Sequence, residues 1–90
     1  MAKASVDPAE LRRFAQDLNR FNEDLRTLLA GLNGRLRGLE ATWRDQEQRK
    51  FTEAFDGTAK VLAVFLENSH EHAVTLAKKA AAIEAYLNQR

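Results

Sequence analysis

No cysteine occurs in the 90 residues, which excludes a disulfide framework, a thiolate nucleophile and a zinc site built on thiolates. One proline and four glycines are too few for the turns of an all-β protein. Charge of one sign is missing as well. Fourteen Lys and Arg stand against 13 Asp and Glu, a net +1, so no global field draws nucleic acid or an anionic membrane. The halves balance too, with 8 basic and 7 acidic groups in residues 1–45 and 6 of each in 46–90. The longest apolar run, Val61–Leu66, is six residues, where a membrane span needs about 20. Met1–Pro8 holds no apolar stretch of the length a secretory signal needs. The expectation is a protein made in the cytoplasm, without a cleaved signal peptide and without membrane insertion. What is present, 44% hydrophobic and 30% charged residues, suffices for one small domain over residues 1–90.

The hydrophobic pattern is helical throughout. Asp7 precedes Pro8, and Glu10 follows three residues after the cap, so a first helix begins near residue 8. Val6 and Leu11 stand at the two positions of a hydrophobic staple. Leu11, Phe14, Leu18, Phe21, Leu25, Leu28 and Leu32 then alternate three and four apart, the seam of a coiled-coil-like pair. Leu36, Leu39 and Trp43 carry the face onward, giving a helix over about 8–42. A second start signal, Asp45 with Gln48, predicts a helix over about 46–88. Asp56-Gly57 is its one breaker, and the helix is expected to run through it. The residues left for a turn, 43–45, force the helices back antiparallel. The fold class is therefore all-α, a helical hairpin of two long antiparallel helices.

A hairpin pivoting near residue 44 sets Gly38 against Phe51, Gly34 against Phe55, and Leu28 against Val61 and Leu62. On that register Gly31, Gly34 and Gly38 form a groove for phenylalanine rings. Two other readings stay open: the glycines loosen the helix near the turn, or they let another helix approach closely. Leu18, Leu25, Leu28, Leu62 and Phe65 are expected to hold the hairpin, and Val61, Val64 and Ala73 to face a partner. The apolar face is wider than one partner helix covers, which predicts dimerisation into a four-helix bundle.

Few residues invite chemistry. His70 and His72 lie two apart on a helix, pointing about 200° from one another, so they cannot share a metal ion. The carboxylates are scattered, and there is no phosphate loop and no Ser/His/Asp set. Arg35, Arg37 and Arg44 make a modest basic patch, diluted by Glu40 and Asp45 and lacking interleaved aromatics, so nucleic-acid binding is not expected. No catalytic residue, cofactor or metal is assigned.

Val6-Asp7-Pro8-Ala9-Glu10-Leu11, the long Leu-rich helix, Trp43, Phe51 eight residues later and a second long helix together resemble the Trp-X-Gly (WXG) family of early-secreted-antigen-like proteins. The resemblance covers roughly residues 5–88. It implies a hairpin pairing as a homodimer or heterodimer with a second hairpin, and export by type VII secretion, with that system's ATPase as a further partner. It also assigns Trp43, Arg44 and Asp45 to the turn motif, with Phe51 packing on Trp43. Two departures stand out. Asp45 takes the place of the family's turn glycine, and caps the following helix better than glycine would. The family's export signal is a Tyr followed four residues later by an acidic residue, whereas Tyr86 is followed by Arg90. Either a partner carries that signal, or the chain is a cytosolic interaction module of the same fold.

Overall fold

The computed structural model describes residues 6–89, which form two helices, α1 (Pro8–Leu39) and α2 (Gln46–Asn88). Asp7 caps α1, its carboxylate accepting from the Ala9 amide at 2.9 Å, and Pro8 opens the first turn, where its missing N–H leaves nothing unsatisfied. Asp45 caps α2 with extended backbone, φ −92° and ψ −171°, and accepts from the Gln48 amide at 3.0 Å. Helix α2 runs unbroken through Asp56 and Gly57.

Helix α1 ends at Leu39 instead of running to 42. The reason lies in the backbone bonding of residues 40–42. Glu40, Ala41 and Thr42 donate three residues back, to Arg37, Gly38 and Leu39, so the chain tightens out of the α-helix. The connection therefore occupies residues 40–45, longer than the expected 43–45. This moves the pivot toward α2. Asn22 lies opposite Ser69, two to three residues later on α2 than the expected pairing. Ion pairs of Arg12 with Glu84 and of Arg37 with Asp56 (2.7 Å) tie the two ends of the hairpin.

The hairpin seam has a different phase from the stripe read in the sequence. On α1 the seam residues are Leu11, Ala15, Leu18, Asn22, Leu25, Leu29 and Leu36, all buried or half-buried. On α2 they are Gln48, Thr52, Phe55, Ala59, Leu62, Leu66, Ser69, Ala73, Leu76, Ala80 and Ile83, alternating four and three apart. Leu18, Leu25 and Leu62 thus stand in the seam. Leu28 and Phe65, expected there too, do not, being 66% and 44% exposed. Ala73, expected toward a partner, is buried at the centre of the seam. A 3-4 alternation fits two adjacent stripes about 50° apart, and the register chose the one containing alanine and asparagine.

The glycines receive no aromatic rings. A β-carbon placed on Gly34, Gly38 or Gly57 meets nothing within 4 Å, and one on Gly31 meets only the Arg35 guanidinium at 3.9 Å. Gly34 and Gly38 stand two residues either side of Leu36, which is buried in the seam, so both point away from α2.

Candidate interaction surface

Two helices bury little. Among the described residues the buried apolar ones are Ala15, Leu36, Leu66, Ala73 and Ala80, and no large side chain is completely buried. Large apolar side chains instead stand on the outside in a pattern. Phe14, Phe21 and Leu28 recur every seven residues along α1, and Leu32 and Leu39 continue that face. On α2, Phe51 and Phe65 are two heptads apart, and Val61 lies one turn before Phe65. The two rows share one side of the hairpin. Phe21 and Phe65 meet edge to face across it, with ring centroids 6.3 Å apart. Phe14, Phe65, Asn68 and His72 line a shallow groove on the same side.

This face changes character along its length. Toward the turn it carries Phe21, Leu28, Leu32, Leu39, Phe51, Val61 and Phe65, all at least 43% exposed. Toward the chain termini exposed polar residues Glu10, Asp17, Asn68, His72 and Lys79 are interspersed with exposed Phe14, Tyr86 and Leu87. Val64 is 57% exposed and points away from this row. Val61 and Val64 therefore both lie outside the hairpin core, but in diverging directions.

At the turn, Glu40 organises a polar clasp. Its carboxylate accepts from Arg37 and from the Gln48 side chain, each at 3.2 Å, and its carbonyl accepts from Arg44 Nε at 2.9 Å. Gln48 also donates to Thr52 Oγ1 at 2.9 Å and is 7% exposed. The hydrogen bond from Arg37 to Glu40, reinforced by Asp56, raises the Arg37 pKa above its ordinary value. Trp43 is half-buried, its amide donating to the Leu39 carbonyl at 2.8 Å. Phe51 pairs with Phe55, stacked with centroids 6.3 Å apart, and among the described residues no aromatic pair joins it to Trp43.

A second groove lies on the opposite side, is open to solvent, and offers Arg26, Asp56 and Glu67 around Ala30, Ala59 and Ala63. Among the described residues no cluster of His, Asp and Glu could hold a metal ion. His72 and His70 border different grooves, the second with Asn19, Glu23 and Arg26. No helix of the described residues is long and apolar enough to cross a membrane. Tyr86 is 70% exposed at the end of α2, and Arg90, with which its spacing was read, lies outside the described residues.

Comparison with known proteins fits this geometry. A family model described as proteins of 100 residues with WXG matches residues 3–86. Crystal structures of the secreted protein EsxB from Bacillus anthracis str. Sterne superpose over most of both chains. One, selenomethionine-labelled, gives a TM-score of 0.78 at 21% identity, covering 96% of this chain and 98% of that one. The wild-type protein, in space group P21, gives 0.75 at 22% identity, covering 91% and 94%. No curated protein matches the sequence.

Proposed function

The chain belongs to the WXG100 family, and on that premise we propose that it acts without catalysis, as a helical hairpin that pairs with a second hairpin in a four-helix bundle and travels by type VII secretion, as substrate or as a substrate's pairing partner. The observation that carries this reading is the row of exposed Phe, Leu and Val side chains along one side of the hairpin. A row of that kind, in helix-length heptads, is suited to docking another pair of helices. Shape supports it as well. The radius of gyration is 19.9 Å, where a compact chain of this length has about 12 Å. The secreted character of EsxB belongs to that protein, and lends the export step its support.

On this reading the chain is made in the cytoplasm, folds there, and leaves without a cleaved signal, recognised by the secretion ATPase. Asp45 in the place of the turn glycine is compatible with the hairpin, because φ −92° is open to any residue and the carboxylate serves as the α2 cap. The experiment is to express the tagged chain in its secreting host with and without the secretion ATPase. Appearance of the intact chain outside the cell only when the ATPase is present is the expected result. Retention in the cytosol in both strains, with any companion hairpin co-expressed, would replace export by a cytosolic adaptor role.

A further inference from the structure

On the side opposite the phenylalanine row, we propose that the groove between the helices holds a short extended segment of another protein, uncharged and carrying one bulky apolar side chain. The groove and the exposed Phe, Leu and Val row lie on different sides of the hairpin. This contact therefore neither needs nor blocks the pairing proposed above.

The groove has an apolar floor between two polar ends. Ala30, Ala59 and Ala63 reach no further than Cβ and leave a trough beside Leu29 and Phe55. Arg37 and Asp56 bridge the two helices at 2.7 Å and wall off the end nearer the turn. Eleven residues make about three helical turns. Arg26 lies eleven residues before Arg37 on α1, and Glu67 eleven after Asp56 on α2, so a second Arg–acid couple faces the same groove at its far end. The first couple is closed and the second is open. Among the described residues, the ion pairs are those of Arg12 with Glu84 and of Arg37 with Glu40 and Asp56, so Arg26 and Glu67 have none.

Beyond Arg26 the groove meets a polar cleft lined by Asn19, Asn22, Glu23 and His70. Asn22 is 3% exposed, its oxygen accepts from Ser69, and its amide nitrogen is buried without a partner. A buried donor of that kind is costly until an acceptor reaches it. Arg26 lines both the groove and the cleft, so rotation of this one exposed side chain opens a path from one to the other.

The donors and acceptors select the occupant. Arg26 and Asn22 offer N–H groups, whereas Glu67 and Glu23 offer carboxylate oxygens. A peptide backbone supplies both complements, a carbonyl and an N–H, without net charge. A free carboxylate meets the donors but is repelled by Glu23 and Glu67. An ammonium group is repelled by Arg26 and leaves Asn22 unpaired. Length decides the conformation. The floor from Arg26 to Asn33 is about 10 Å long at 1.5 Å per residue, which about three extended residues span. A helix confined to that length has about two turns, too few to hold itself together.

The test is nuclear magnetic resonance titration of the full isotope-labelled chain with the capped peptide acetyl-Gly-Leu-Gly-amide. The control probe is 4-methylvalerate, which keeps the leucine side chain but replaces the amides by a carboxylate. The expected result is saturable shifts at Ala30, Ala59, Ala63 and the Asn22 side-chain amide with the peptide, and none with the carboxylate. Arg26→Ala should weaken peptide binding about tenfold. Ala63→Leu fills the floor from an exposed position and should abolish binding with helix content unchanged. Glu53→Gln, exposed on α2, should leave binding as in the parent.

Absence of shifts with the peptide overturns the proposal, as do equal shifts with both probes or binding that withstands both Arg26→Ala and Ala63→Leu. A lower solution mass for Ala63→Leu in light scattering, without any peptide shifts, assigns the groove to a neighbouring helix and overturns it too. None of these results bears on export, which the secretion experiment decides separately.

Discussion

Asn22 and Ser69 are the polar pair at the middle of the seam, 3% and 5% exposed, joined by a 2.9 Å hydrogen bond from Ser69 Oγ to Asn22 Oδ1. The amide nitrogen of Asn22 is buried without a partner. Leaving such a donor unsatisfied costs about 1–3 kcal/mol. Replacing both members by apolar residues removes that cost and adds burial. The double substitution Asn22→Leu with Ser69→Ala is therefore expected to stabilise the hairpin by about 1–2 kcal/mol, while Ser69→Ala alone destabilises it by leaving both amide atoms unpaired. Thermal unfolding of the three variants by circular dichroism checks the sign of each. A polar residue kept in a helical seam despite its cost is known to specify register in coiled coils. Here it marks the level at which α1 and α2 lock. Trp43 shows the opposite relation between expectation and environment. Its indole is half-buried, and its amide closes the end of α1.

The caps and the glycines decide where each helix begins and how firmly it holds. Both N-caps are aspartates whose carboxylates accept from first-turn amides, and both were legible because capping is local chemistry. The end of α1 was not legible, since three consecutive bonds to carbonyls three residues back leave no composition signal. Gly34 and Gly38 lie inside α1 with open space where a β-carbon would be, and neither has positive φ. Gly34→Ala and Gly38→Ala are each expected to stabilise the helix by about 0.5–1 kcal/mol. A higher urea midpoint with an unchanged slope would confirm it. The same two variants ask whether another helix approaches this surface. If one does, the added methyl groups weaken assembly even as they strengthen the isolated hairpin.

At the scale of the molecule, the extents of 67 × 25 × 14 Å describe a rod one helix thick. Such a shape exposes apolar surface in proportion to its length, so stability should be shared with whatever covers that surface. Raising chain concentration tenfold is therefore expected to raise the midpoint of thermal unfolding. By contrast, Leu28→Asp should abolish the concentration dependence. A midpoint independent of concentration would show that the hairpin is stable by itself, with the exposed row contributing nothing to folding. The ion pairs at the two ends, Arg12 with Glu84 and Arg37 with Asp56, are all partly exposed and are better regarded as fixing alignment than as sources of stability.

Residue order alone was enough for the two helices, their starts, the turn region between them and the family, because capping and 3.6-residue periodicity are properties of short stretches of chain. It was also enough to show more apolar surface than one hairpin could hide. It was not enough to say which apolar residues face the sister helix. Leu18 and Leu28 belong to the same 3-4 alternation, yet one is half-buried in the seam and the other is 66% exposed. Ala73, expected outside, is enclosed. That choice depends on where the chain pivots, and the pivot was set by the six residues 40–45 together with the lock between Asn22 and Ser69. A helical stripe fixes only that a surface must be covered. The rotation of each helix about its own axis, and so the identity of the covering surface, is settled when the two helices pack.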